Sequence, residues 1–187
     1  MEAFGHLSVL ISIILGLAIT QVLQGLRGIV LERARIRMYW VPVAWAVLVL
    51  LICVQSWWAI YGLRGVRDWT FLAFSVVLLQ VIATYMLSAF VLPDLTGDEP
   101  VDLHAHYFDH VRWIFGAMLL TLAASLTKDL VLSGRLVSGA NLYFHLTMAG
   151  TSLVAMLTRR EWYHRANAVL AALGLSVYII LLFTRLR

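Results

Sequence analysis

The densest run of reactive side chains in this sequence is Asp102-Leu103-His104-Ala105-His106-Tyr107-Phe108-Asp109-His110. Wound as a helix, it sets Asp102, His106, Asp109 and His110 on one face, at offsets of four, seven and eight, with His104 close by. Imidazole and carboxylate are the ligands of Zn²⁺ and similar divalent ions, so Asp102, His104, His106, Asp109 and His110 are the metal-ligand candidates. The run matches no defined zinc motif. Clustered histidines also serve as pH sensors, and the same residues suit a solvated amphipathic turn leading into the apolar stretch that follows. The spacing leaves these three readings open.

A second candidate stands alone. His145 lies in the middle of an apolar segment, where an ionisable group is expected to face a partner or a cavity. It can be a neutral histidine bonded to a neighbouring helix, or serve in proton relay, ligand contact or cofactor ligation. Two-histidine haem ligation lacks its second imidazole, because His6, His110 and His164 sit near segment ends. Asp129, Gln24, Gln55, Gln80, Tyr85 and Asn141 are further polar residues inside apolar segments, with Gln21, Ser56, Thr84, Asn167 and Tyr178. They read either as a polar path or as hydrogen-bonding glue between helices. Lys128 is expected to snorkel to an interface, with Asp129 as an alternative ion-coupling carboxylate. The sequence leaves the cofactor unknown.

Six long apolar segments must position these groups: Phe4 to Gly25, Val41 to Leu63, Trp69 to Leu92, Val111 to Leu132, Leu136 to Leu157 and Ala166 to Phe183. Most approach or exceed the ~20 residues needed to cross hydrocarbon. With 62% hydrophobic and 13% charged residues, and a mean hydropathy of +0.89, the composition is wrong for a water-soluble domain. Inside a bilayer each segment must satisfy its own backbone, which continuous apolar runs do as helices. The expected fold is therefore all-α, one polytopic bundle of six spans over residues 1–187. No connection is long enough for a second folded domain.

The net charge of +4 does not point to nucleic acid, because the fourteen cations flank apolar segments instead of forming one patch. The lipid bilayer is the expected partner. Cys53 is the one cysteine, so no intrachain disulfide forms. No nucleophile elbow, phosphate-cradling glycine loop or HExxH pattern is present, and the sequence carries no soluble-enzyme signature. The first segment lacks a basic leader and exceeds a secretory h-region, so it is expected to remain in the mature protein.

Alternating spans put eight cations on the side of the first, third and fifth connections and six on the other. Four arginines follow the first segment and none precedes it, which predicts both termini outside the cytoplasm. So narrow a bias also permits dual insertion. Ser8, Ser12, Gly16, Thr20, Gln24 and Gly28 recur every four residues, a small-residue stripe that predicts close helix packing in the bundle or at a subunit interface of a homo-oligomer. Ala117, Thr121, Ser125 and Asp129 repeat the spacing in the fourth segment. Asp68-Trp69 with Tyr85, and Glu161-Trp162 with Tyr178, match at an interval of 93 residues. Together these predict a 3+3 inverted repeat of the kind found in transporters.

The segments FGHLSVLISIILGLAIT, DWTFLAF, DLHAHYFDHVRWIF and LTRREWYHR resemble those of small multi-pass bacterial membrane proteins of uncharacterised function. The resemblance implies a bacterial inner membrane and carries over no activity or functional residue. The polar residues within spans, the repeat and the lack of a soluble domain lead to the expectation of a small channel or transporter for an ion or small solute. The alternatives are a non-enzymatic membrane subunit binding a partner protein, lipid or hydrophobic ligand, and a pH or metal sensor built on the histidine run.

Overall fold

The computed structural model describes residues 2–66, 68–95, 99–135 and 138–182. The expected start of the fifth segment at Leu136 and end of the sixth at Phe183 lie outside the described residues, as do Arg67, Arg185 and Arg187. Among the described residues the chain forms six helices: α1 (Glu2–Leu31), α2 (Trp40–Ile60), α3 (Phe71–Val91), α4 (Leu103–Ser133), α5 (Ala140–Leu157) and α6 (Glu161–Leu182). A 3₁₀ turn, Tyr61–Gly65, extends α2, and two short strands, β1 (Ile36–Arg37) and β2 (Val101–Asp102), lie in the connections. The protein is an all-α membrane bundle. Five helices are long and apolar enough to cross a membrane; α5, at 18 residues, is outside that group. Its polar content, including Asn141, His145, Thr151 and Ser152, lowers its hydropathy, while its length of about 27 Å still matches a hydrocarbon core.

Local chemistry sets the helix ends. The Thr70 hydroxyl accepts the Ala73 N–H at 3.1 Å and caps α3. Leu92 is extended, as a residue before proline tends to be, and Pro93 ends α3 there. Pro42 sits in the first turn of α2, where a missing N–H breaks no intrahelical bond. Asp102 caps α4, whose first residue, Leu103, comes eight residues before the expected start at Val111, so the histidine run forms its first two turns. Gly134, left-handed at φ 66°, closes α4 and returns its N–H to Leu130.

Helices α2, α3, α4, α5 and α6 form a ring in that order, and α1 lies outside it against α2 and α3. β1 and β2 pair in parallel, Ile36 with Val101 and Arg37 with Asp102. The first and third connections therefore share a face. Tyr107 near the start of α4 meets His164 near the start of α6, which brings the fifth connection to that same strand face. On the opposite, terminal face, Phe4 of α1 meets Trp69 before α3, and Tyr178 of α6 meets Asn141 at the start of α5. Since α4 ends where α6 also ends, α5 must run the full distance between the two faces.

The outside of the ring is apolar. Leu170, Leu173, Val177 and Ile180 of α6 and Phe71 and Leu72 of α3 are all more than half exposed, a surface that a bilayer covers and water would not. The packed face of α1 is Ile11, Leu15, Ala18 and Val22, whereas Ser12, Gly16, Thr20 and Gln24 point outward and Ser8 is half-buried. Most of the small-residue stripe thus makes no close packing inside the bundle, because the larger apolar side chains take the inner face. Gly28 does pack inside: a Cβ there would lie 2.7 Å from Leu95, and one at Gly25 would lie 2.9 Å from Leu92. The 3+3 repeat is not confirmed. α1 packs along α2 and α3, whereas α4 packs along α3 and α5, so the neighbours of the supposedly equivalent helices differ.

Candidate functional site

Near the strand face the ring is closed by aromatic rings. Trp45 and Phe115 meet edge to face at 5.3 Å, and Tyr39, Tyr107, Phe108 and His164 pack around them. His164 is wholly buried, with Nε2–H donated to the Thr158 carbonyl at 3.0 Å and Nδ1 accepting the Tyr107 hydroxyl at 2.9 Å. A carbonyl only accepts, so the tautomer follows from its position.

Toward the terminal face the same five helices separate around a cavity of about 270 Å³. It extends from Gly62 and Leu63 at the end of α2 down to Ile52, Met118 and Met148, a depth of about 16 Å at helical rise. Gln55, Gln80, Asp129, Asn141 and His145 all line it. His145 donates Nδ1–H to the Asn141 carbonyl at 2.8 Å, and its Nε2 lies 3.2 Å from the Ser125 hydroxyl. Tyr178 donates to the Asn141 side-chain oxygen at 2.9 Å and stacks on Phe144 at 4.0 Å. Among the described residues the amides of Gln55 and Gln80 make no hydrogen bond, which leaves their donors and acceptors for a guest.

Helical spacing explains the lining contributed by α4. Thr121, Ser125 and Asp129 follow at intervals of four, so they share one face, and that face borders the cavity. Ser12, Gly16, Thr20 and Gln24 of the stripe on α1 look outward, whereas Thr121, Ser125 and Asp129 of the stripe on α4 line the site and its Ala117 borders the outer face of α4. Lys128, expected to snorkel, lines the cavity beside Asp129, so one cation and one anion enter the same space. The Thr84 and Thr121 hydroxyls donate to carbonyls of their own helices at 2.9 Å and present oxygen lone pairs to the interior. Of the expected pathway residues, Gln24 and Tyr85 stand apart: Gln24 is exposed on α1 and Tyr85 packs half-buried against the core. Ser125 and Thr121 are the members that sequence reading passed over, as packing residues.

The metal candidates do not converge. Asp102 accepts the His104 and Ala105 N–H groups at 2.8 and 3.1 Å and pairs with Arg37 at 3.1 Å. These bonds, the Ala105 N–H foremost, hold its carboxyl below the usual carboxylate range. His104 packs against Tyr39 and Phe108. His106 donates to the Phe90 carbonyl at 3.3 Å, His110 to the His106 carbonyl at 2.9 Å, and their rings stack at 4.3 Å. Asp109 faces a groove on the outside of α4. Among the described residues no group of three or more histidine, cysteine, aspartate or glutamate side chains comes together as a metal site. The helix cap engages Asp102 and neighbouring carbonyls engage His106 and His110 instead.

Comparison with protein-family models, characterised proteins and solved structures finds no significant match.

Proposed function

We propose that this integral membrane protein binds a small polar solute or an ion in the cavity and conducts it, as a small channel or transporter. One observation carries the reading: five polar residues from four helices, Gln55, Gln80, Asp129, Asn141 and His145, converge on a single cavity within an apolar bundle. Polar groups are costly inside a membrane, and their concentration around open space, with the Gln55 and Gln80 amides unbonded among the described residues, supports a guest more than structural glue. Lys128 offsets Asp129, so the lining favours a zwitterion, a neutral polar solute or a proton over the accumulation of one ion.

Proteoliposomes carrying the protein, tested with proton and sodium gradients and with labelled glycine, should show flux of one probe above empty vesicles. Asp129→Asn and His145→Gln should each cut that flux at least tenfold. Absence of flux for all three probes would count against conduction.

The outward face of Ser12, Gly16 and Thr20 favours a second reading, in which α1 is the contact surface of a subunit in a homo-oligomer. Light scattering of the solubilised protein tests it, with Gly16→Leu expected to shift an oligomer to monomer. The sequence resemblance supports a bacterial inner membrane, and the arginines after α1 support termini outside the cytoplasm. A C-terminal reporter active only in the cytoplasm should stay silent.

A further inference from the structure

Along the outside of α4, beside α3, runs an open groove of about 860 Å³, separate from the polar cavity. Its deep part is apolar, bounded by Met86 and Phe90 of α3 and by Leu120, with Gly116 as its floor. A Cβ built at Gly116 would touch nothing within 4 Å, so the missing side chain leaves real space there. Toward the strand face the groove ends at Arg112, Arg159 and Asp109. Trp113, 65% exposed, stands beside them, a residue type that settles at the level of lipid head groups.

At this face Arg35 pairs with Glu32, Arg37 with Asp102 and Arg165 with Glu161. Arg112 and Arg159, like Arg27, Arg33 and Arg160, have no such ion pair among the described residues; Arg112 and Arg159 are the two that line the groove, and both are exposed. Unpaired guanidinium groups above an apolar groove, at interfacial depth, complement a phosphate joined to hydrocarbon. From Arg112 to Leu120 the helix rises about 12 Å, a span that suits much of an acyl chain.

We propose that this groove binds one anionic phospholipid of the phosphatidylglycerol type, its phosphate held by Arg112 and Arg159 and one acyl chain laid over Gly116. Asp109 shapes the choice of headgroup: its carboxylate accepts hydrogen bonds from glycerol hydroxyls and repels a second phosphate. The site is independent of the solute cavity, which lies inside the ring.

Native mass spectrometry of the full chain, released from micelles doped with equal phosphatidylglycerol and phosphatidylcholine, tests this. The wild type should retain phosphatidylglycerol in preference, and Arg112→Gln with Arg159→Gln should lower its apparent affinity about thirtyfold, at roughly a factor of five for each interfacial arginine. A control of equal charge change, Arg27→Gln with Arg33→Gln, should keep it. Gly116→Leu fills the groove without altering charge and should also release the lipid, so the two designs answer separately if either misfolds. Equal retention of both lipids by the wild type, or unchanged retention in the Arg112 and Arg159 double variant, overturns the proposal.

Discussion

His164 and His145 are both buried, both donate one ring N–H to a backbone carbonyl, and both meet a hydroxyl at the other nitrogen. What surrounds that second bond separates them. At His164 the ring is packed by Phe108 and Phe115 and its Tyr107 partner is wholly buried, so the pair borders side chains and no open space. The Ser125 hydroxyl at His145 borders a cavity shared with Asp129, Gln55 and Gln80. Identical local bonding therefore closes one half of the ring and equips the other, and it is packing, not the histidine, that assigns the role.

The sharpest way to break this contrast is to open the closed half. Phe115→Ala removes a fully buried ring and should destabilise the bundle by about 3–5 kcal/mol, read as a lower midpoint of unfolding in mixed micelles. If the strand-face half is the barrier, surviving Phe115→Ala protein should also leak in proteoliposomes. Next in size, His164→Ala strands the buried Tyr107 hydroxyl and should cost about 1–3 kcal/mol. Adding Tyr107→Phe should then restore part of that loss, and strict additivity of the two would show that the pair does not act as one unit. By contrast, His145→Gln should change stability by less than about 1 kcal/mol while flux falls, since a cavity residue has less packing to lose.

The smallest expected effect sits at the cap. Asp102→Ala removes the acceptor for the His104 and Ala105 N–H groups and should cost about 1 kcal/mol. Because the carboxyl is held below its ordinary range in the folded state, its contribution is complete above the unfolded-state value, near pH 4, and fades as the pH falls through the lowered folded-state value. Stability of wild type and Asp102→Ala should therefore converge in strong acid, and a constant difference down to pH 2 would assign the effect to something other than ionisation.

Much of this was legible in residue order. Long apolar runs dictated the helices, and Pro93 marked one boundary, because backbone satisfaction in lipid leaves few choices. His145, Asp129, Gln55, Gln80 and Asn141 could be picked out individually, since polar groups within apolar runs are conspicuous. Which of them meet was not legible: helix order around a ring is set by side-chain packing between segments far apart in sequence. That is why Gln24 and Gln55 read alike yet one faces outward and the other lines the cavity, and why the two four-residue stripes took opposite roles. Lys128 shows the same limit: its place near a helix end was legible, whereas the cavity beside its own helix was not.

The short parallel pairing of β1 with β2 has a mechanical consequence. It fastens the α1–α2 connection to the α3–α4 connection, with the Arg35 guanidinium donating to the Glu99 carbonyl at 2.9 Å alongside. A rod pinned at one end swings most at the other. For a helix of about 30 Å, the length of α2, a tilt of about 5° about that pin displaces the far end by roughly 3 Å, while the pinned end barely moves. Any tilt of α2 is thus geared toward the terminal face, and the cavity lies at the long end of the lever.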